Sequence, residues 1–139
     1  NYVEIIDNGR GIPLVDEVQK SSKILNRIFG GQPMSSLDYA NIEDFNNLEL
    51  NMINSLCEDM SICVWRNGKS YSQSYINGIA QHELIIKDSS HKSGMRVIIK
   101  PNSNIFENLM WNKEMIEDFI VQNASKYIKS IFIEETNNK

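Results

Sequence analysis

The stretch that decides the fold is residues 2–13, Tyr-Val-Glu-Ile-Ile-Asp-Asn-Gly-Arg-Gly-Ile-Pro. Its β-branched residues predict a strand that packs against a core, because Val and Ile fit a pleated, half-buried surface. Asp7 follows at the end of this strand. Gly9 and Gly11 then allow the backbone to adopt positive φ or to approach a ligand closely. The stretch therefore predicts a strand that runs into a glycine-punctuated loop.

Two interpretations of this loop remain open at the level of the residues alone. A carboxylate at Asp7 can accept a hydrogen bond from an exocyclic amine, and Ile12 and Pro13 offer a flat apolar wall. One polar group beside an apolar slot is what an adenine ring requires. Alternatively, Asp-Asn-Gly is an ordinary turn signal with no ligand.

Length and composition bound the class of protein. The chain has 139 residues, 41% of them hydrophobic and 23% charged, and a net charge of −4. These values are typical of one folded globular domain. No apolar run approaches the roughly 20 residues of a membrane span, and the mildly acidic charge disfavours a large nucleic-acid surface. Because the chain opens on Asn1 without a signal-peptide pattern, we expect further residues upstream.

The cysteines and histidines show no spacing typical of a chemical site. Cys57 and Cys63 have neither disulfide-type nor metal-type spacing. They predict reduced, buried cysteines of an intracellular protein in a reducing compartment, the cytoplasm or an organelle matrix. His82 and His91 have no companion at ligand spacing, so we expect ordinary surface or loop residues.

The hydrophobic period predicts the order of the elements. Apolar spacing predicts helices over residues 15–29, 44–58 and 111–122, with a loop over residues 32–43. Alternation and turn signals predict strands over residues 60–66, 70–76, 83–87, 95–100 and 129–134. Asn67-Gly68 is the strongest hairpin signal, and Asn77-Gly78 makes a second turn. The predicted fold class is α+β, a two-layer sandwich with helices on one face of a mixed, mostly antiparallel sheet. We expect one domain over residues 1–135 and a polar tail over residues 136–139.

These motifs, in this order, resemble the N-terminal ATPase domain of the B subunit of bacterial DNA gyrase and topoisomerase IV, in the GHKL superfamily. Residues 7–13 are similar to the adenine motif of the topoisomerase subgroup. Residues 54–58 and 64–71 look like the helix end and hairpin that follow the nucleotide lid. Residues 93–101 and the last helix and strand resemble the end of that domain, so the likeness covers nearly the whole chain.

The resemblance implies a set of ligand contacts. Asp7 would accept the hydrogen bond from the adenine amino group, while Gly9 and Gly11 would let the chain pass beneath the base. Arg66 would border the mouth of the pocket. The nucleotide-contacting residues implied in this way are Asp7, Asn8, Gly9, Arg10, Gly11, Ile12, Pro13, Arg66 and Gly94. The implied cofactors are ATP and magnesium, and the implied partner is a second chain that completes the domain, with DNA reached only through a larger complex.

Three departures from the family oppose hydrolysis. The family's general-base glutamate and magnesium-binding asparagine lie upstream of the adenine motif, outside this chain. Its glycine-rich phosphate loop corresponds to residues 43–49, Glu-Asp-Phe-Asn-Asn-Leu-Glu, which contain no glycine. Met95 stands where the family has a threonine. We therefore expect no catalytic or metal-binding residue here.

Three hypotheses for function follow from these departures. The first is a degenerate, non-hydrolysing ATPase-like domain that acts as a scaffold or partner-binding module. The second is a genuine ATP-binding segment of a type II DNA topoisomerase whose catalytic helix lies outside the chain. The third is a nucleotide-sensing or purely structural module of a larger assembly.

Overall fold

The structure, a computed structural model, describes residues 2–30, 47–123 and 130. The chain divides into two compact units, Asn1–Asn108 and Leu109–Lys139. Across the described residues, no helix has both the length and the apolar character needed to cross a membrane.

The first unit is built on a six-stranded sheet in which every described pairing is antiparallel. The order is β1-β6-β2-β3, and β3 pairs with both β4 and β5 at its other edge. The mostly antiparallel sheet predicted from the sequence is thereby confirmed. The strands are β1 (Val3–Asp7), β2 (Cys57–Arg66), β3 (Lys69–Ile76), β4 (Ile79–Ala80), β5 (Ile85–Asp88) and β6 (Gly94–Pro101).

Two Asn-Gly turns connect β2, β3 and β4 as predicted. Asn67 and Gly68 have φ of 52° and 74°, and Asn77 and Gly78 have φ of 49° and 81°. Positive φ at both central residues matches the right-handed twist of the flanking strands. The turns therefore fix the register in which Trp65 faces Ser70 and Met60 faces Tyr75.

Helix α1 (Val18–Ile28) begins three residues later than predicted. The reason is a side-chain clamp on Val15, which donates its N–H to Ser21 Oγ at 2.9 Å. The same Oγ donates to the Val15 carbonyl at 2.6 Å. Ser21 is fully buried, so the clamp holds the backbone of Val15 outside the helix.

Helix α2 (Asn47–Ser55) ends earlier than the predicted boundary at residue 58. That prediction was wrong because Cys57 already pairs with Pro101 of β6, so β2 starts three residues before the expected position. Residues 44–46 and the predicted loop over residues 32–43 lie outside the described residues.

The core lies between the helices and one face of β2 and β3. Met60, Ile62 and Val64 of β2 are buried as their alternation predicts. The other buried apolar side chains come from the start of β2, β3, α1 and the segments flanking the sheet: Ile12, Leu14, Leu25, Ile28, Phe29, Cys57, Tyr71, Tyr75 and Leu84. Burial also raises the pKa of Tyr75, since a phenolate there would lose its hydration.

Strand β1 does not pack against the core in the way its sequence suggests. Ile5 and Ile6 are 57% and 59% exposed. The physical reason is position, because β1 lies at the edge of the sheet and pairs only with β6 among the described strands. The strand itself is confirmed, and the expectation that it packs against a core is corrected.

The remaining predicted boundaries shift by one or two residues. The strand predicted at residues 83–87 is β5 (Ile85–Asp88), the strand predicted at 95–100 is β6 (Gly94–Pro101), and the two-residue β4 was missed.

Cys57 and Cys63 are free thiols, but only Cys57 is buried. Burial, with the Asp59 charge second, raises the pKa of the Cys57 thiol.

The second unit contributes helix α3 (Lys113–Asn123). Asn112 is its N-cap, because Asn112 Oδ1 accepts the N–H of Met115 at 3.0 Å. The helix therefore begins two residues after the predicted start at residue 111. Met115 and Phe119 of this helix are 65% and 66% exposed. The predicted strand over residues 129–134, except Ser130, and the tail over residues 136–139 lie outside the described residues.

Asn54 connects the two helices of the first unit and generates a stability prediction. It is 1% exposed, and its Nδ2 donates to the Phe29 carbonyl at 2.5 Å, just past the end of α1. Asn54→Ala leaves that carbonyl without its donor, so we expect the free energy of unfolding to fall by about 1–3 kcal/mol. Urea denaturation measures this free energy of unfolding. Ser55→Ala, on the exposed side of the same helix, should change it by less than about 0.5 kcal/mol, and equal losses would contradict the assignment.

Candidate functional site

The loop over residues 7–13 begins with a turn closed by a side chain. Asp7 Oδ1 accepts the N–H of Gly9 at 2.8 Å. The described residues offer no hydrogen-bond donor to Asp7 Oδ2, and the side chain is exposed. The turn interpretation is therefore correct for one carboxylate oxygen, while the other remains open to a donor.

Two glycines bring three backbone segments into direct contact. A Cβ added at Gly94 would lie 2.1 Å from the Asp7 carbonyl oxygen, and a Cβ at Gly11 would lie 2.9 Å from the Trp65 carbonyl oxygen. Both glycines also have positive φ, 138° and 66°. Gly94, predicted as a ligand contact, therefore has a structural role here, because it lets β6 approach the end of β1.

Arg66 holds the loop from the end of β2. Its Nη1 donates to the carbonyls of Arg10 and Gly11 at 2.9 and 3.1 Å. Because one guanidinium binds both carbonyls, it fixes the backbone at Arg10 and Gly11. The structure thus brings Arg66 and the loop together, as the resemblance implies, and gives Arg66 a positioning role.

Asp7 and Met95 are direct partners across the β1–β6 pair. Residues that pair directly lie on the same face of a sheet. Met95 in turn pairs with Val64 of β2, which is fully buried. The open carboxylate of Asp7 therefore has a thioether and an apolar strand beside it, and a thioether is at best a weak acceptor.

The apolar residues at the end of the loop divide between core and surface. Ile12 is only 5% exposed and belongs to the core cluster together with Leu14. Pro13, Asn8 and Arg10 are exposed. Of the two residues expected to form an apolar wall, Ile12 is built into the core and Pro13 lies on the surface.

An aromatic stack beside the loop was missed from the sequence. Trp65 and His91 stack with ring centroids 3.9 Å apart and an interplanar angle of 13°. His91 belongs to a polar loop with no hydrophobic period, so no local sequence pattern predicts its contact with Trp65. His91 is an exposed loop residue, as expected, and the structure adds its stacking contact with Trp65.

An ion-pair cluster fixes the segment that follows the loop. Lys69 Nζ lies 3.3 Å from Asp16 and 2.9 Å from Asp88. The hydrogen bond to Asp88, followed by that to Asp16, raises the pKa of Lys69. The same contact with Lys69 lowers the pKa of Asp88, so the link between these segments weakens when acid protonates the carboxylate.

The described residues show nothing that fits a resident metal. No group of three His, Cys, Asp or Glu side chains within them could hold an ion. Residues 43–46, in the segment that corresponds to the phosphate loop, lie outside the described part, and residues 47–49 are helical.

Comparison with known proteins identifies relatives that match most of the chain. The B subunit of DNA topoisomerase 4 from Bartonella bacilliformis is 32% identical over 123 residues, which cover 84% of this chain and 18% of that protein. The chloroplastic/mitochondrial DNA gyrase B subunit of Oryza sativa is 31% identical over 123 residues, 79% of this chain and 16% of that protein. No protein-family model matches the chain.

A solved structure shares the fold. The 43K ATPase domain of Thermus thermophilus gyrase B, crystallised with an aminocoumarin, matches with a TM-score of 0.62 at 22% identity. The match covers 84% of this chain and 29% of that chain. The fold is therefore the α+β fold of the GHKL-type ATPase domains. Within that class, the chain is a relative of the B subunits of the type IIA DNA topoisomerases, gyrase and topoisomerase IV. It spans less than a fifth of the length of the two relatives named above.

The glycine contacts generate a prediction about the loop. Gly94→Ala places a Cβ against the Asp7 backbone, so we expect unfolding free energy to fall by about 3 kcal/mol or more. Gly68→Ala is the matched control, because Gly68 also has positive φ but nothing lies within 4 Å of the added Cβ. The Gly68→Ala substitution should lower the free energy of unfolding by only about 1–2 kcal/mol. Urea unfolding of both variants measures the difference, and equal losses would mean that the loop does not depend on the close approach.

Proposed function

We propose that this chain is a degenerate, non-hydrolysing ATPase-like domain that retains a recess for a purine base and acts as a scaffold or partner-binding module. The observation that carries the proposal is the pairing of Asp7 with Met95. It keeps the carboxylate that would bind an adenine amino group but sets a thioether where the family has a hydroxyl.

The base side of the site supports binding of a purine. Asp7 has one oxygen committed to the turn and one oxygen open. Arg66 and the two closely packed glycines hold the loop around it. A hydrogen bond to a charged group contributes about 1.5–3 kcal/mol net. This contact and the apolar surface beside Met95 support weak binding of a nucleoside.

The phosphate side opposes binding of a triphosphate. The segment that corresponds to the phosphate loop carries Glu43, Asp44 and Glu49 and no glycine. A carboxylate about 4 Å from one phosphate charge costs on the order of 4 kcal/mol at an effective dielectric near 20. Repulsion of that size exceeds the contribution of the Asp7 hydrogen bond. We therefore propose that ATP and magnesium are not cofactors of this chain.

The proposal includes a protein partner. The relatives are named as subunits of DNA topoisomerases, so we propose that this chain also works beside a second chain and reaches DNA only through a larger complex. The two free thiols, Cys57 and Cys63, support a reducing compartment, the cytoplasm or an organelle matrix.

A second candidate function is a genuine ATP-binding segment of a type II DNA topoisomerase whose catalytic helix lies outside this chain. Its support is the sequence relationship to the DNA topoisomerase B subunits, since the open oxygen of Asp7 suits either candidate. The two candidates differ in whether the triphosphate binds.

Parallel calorimetric titrations with adenosine and with Mg-ATP distinguish the candidates. We expect weak, measurable binding of adenosine and no binding of Mg-ATP at the same concentrations. Micromolar affinity for Mg-ATP would overturn the degenerate assignment and favour the second candidate. If neither ligand binds, the proposed purine recess is refuted and only the scaffold role of the proposal stands.

Asp7→Asn tests the role of the open oxygen. The variant keeps an Oδ1 acceptor for the Gly9 N–H, so the turn is retained, but it replaces the second acceptor with an NH₂ donor. We expect adenosine binding to disappear. Asp59→Asn, an exposed carboxylate on β2, should leave the affinity unchanged. Unchanged affinity in Asp7→Asn would show that Asp7 serves only the turn.

A further inference from the structure

The face of the sheet opposite the core carries a groove of about 240 Å³. Polar side chains of β2 and β3 line it at positions that alternate with the buried residues, and Ile85 and Ile98 add apolar surface. The lining residues used below are Ser61, Ser72, Ser74, His82, Ile85 and Ile98. This groove lies on the other face of the sheet from the Asp7–Met95 pair and shares no residue with it.

Ser74 and His82 form a hydrogen-bonded pair in this groove. Ser74 Oγ lies 2.7 Å from His82 Nε2, and His82 Nδ1 lies 2.8 Å from the Glu83 carbonyl oxygen. A carbonyl oxygen can only accept, so Nδ1 carries the proton in the neutral ring. Nε2 is then the acceptor, and the Ser74 hydroxyl must donate to it. This is the arrangement of a serine nucleophile with its base, in which a carbonyl orients the base.

The pair is anchored by a buried side chain. Gln73, 2% exposed, donates its Nε2 to the His82 carbonyl at 2.5 Å. On the next residue of the same strand, the Ser74 carbonyl accepts the N–H of Gln81 at 3.0 Å. Both members of the pair are therefore attached to β3 through their backbones. The imidazole reaches the hydroxyl without a loop having to close first, which lowers the ordering cost of a reaction.

We propose that Ser74 is a nucleophilic serine, with His82 as its general base, that accepts the acyl group of small activated esters. Ser74 Oγ attacks the carbonyl carbon, the Oγ–C bond forms and the bond from carbon to the leaving oxygen breaks. The hydroxyl proton passes to His82 Nε2 and then to the departing alkoxide or aryloxide. No oxidant, metal or further reactant is required.

The groove limits the class of acyl donor. Its volume of about 240 Å³ is enough for a short acyl group with part of its leaving group. Ile85 and Ile98 offer apolar contact to an aliphatic or aryl portion. A longer acyl chain or a peptide would extend from this open groove into solvent, so we expect it to gain little affinity over an acetyl-sized group.

The test reacts the whole chain with p-nitrophenyl acetate and with an alkyl fluorophosphonate. Mass spectrometry of the intact and digested protein then locates the adducts. With the fluorophosphonate, the Oγ–P bond forms, fluoride leaves and His82 takes the proton. We expect one fast adduct on Ser74, at least 10-fold faster than any on Ser61 or Ser72, which serve as internal comparators in the same groove.

Three variants separate a nucleophile from a structural hydrogen bond. Ser74→Ala should lose the fast adduct, and His82→Gln should slow it at least 10-fold, in line with the roughly 10²–10⁴ that a general base typically supplies. Ser70→Ala is the control, since Ser70 lies on the same face of β3 and its Oγ instead donates to the Lys87 carbonyl at 3.5 Å. It should keep the parent rate.

The outcome that overturns the proposal is an adduct rate on Ser74 no higher than on Ser61 or Ser72, or a rate unchanged by His82→Gln in a variant with native circular dichroism. The comparison of the three serines uses only the unaltered protein, so it decides the question even if His82→Gln does not fold.

Discussion

The close approach of the backbone at Gly94 to the carbonyl of Asp7 is the constraint on which the site depends. No side chain fits between them, since an added Cβ would lie 2.1 Å from that oxygen. Gly11 makes a similar close approach to the Trp65 carbonyl. Arg66 donates hydrogen bonds to the carbonyls of Arg10 and Gly11. The Asp7 carboxylate therefore lies where three backbone segments converge, with one oxygen in the turn hydrogen bond and the other open to a donor.

The fold was largely predictable from the sequence wherever a local rule acts alone. The alternation of β2 and the Asn67-Gly68 turn specify a hairpin through backbone geometry, and both are observed. The boundaries of the helices were less predictable, because single side chains decide them. Ser21 clamps Val15 outside α1, and Asn112 caps α3. A hydrophobic period cannot report such contacts, since Ser and Asn are equally compatible with a helix interior, a cap or a loop.

Burial and role were harder to predict than element type. The β-branched run of β1 has the composition of a central strand, yet Ile5 and Ile6 are exposed because β1 is an edge of the sheet formed by the described strands. β-Propensity reports fit to a pleated surface and not position in the sheet. At the site, the sequence analysis named Asp7, Arg66 and Gly94 as ligand contacts, whereas the structure shows their contacts within the protein: Gly94 approaches the Asp7 backbone and Arg66 donates to two loop carbonyls. Whether a residue contacts a ligand or supports a neighbour depends on distances between segments that lie tens of residues apart.

The two-residue period of the sheet separates the face that packs in the core from the face that carries the groove. Met60, Ile62 and Val64 must face the helices to form the core, so the residues between them necessarily face the other way. On β3 the same alternation buries Gln73 and leaves Ser74 only partly buried. The buried member then anchors His82 for its neighbour in the groove. The groove pair therefore depends on both faces of β3, because the inward Gln73 holds the backbone of His82 while the outward Ser74 contacts its imidazole.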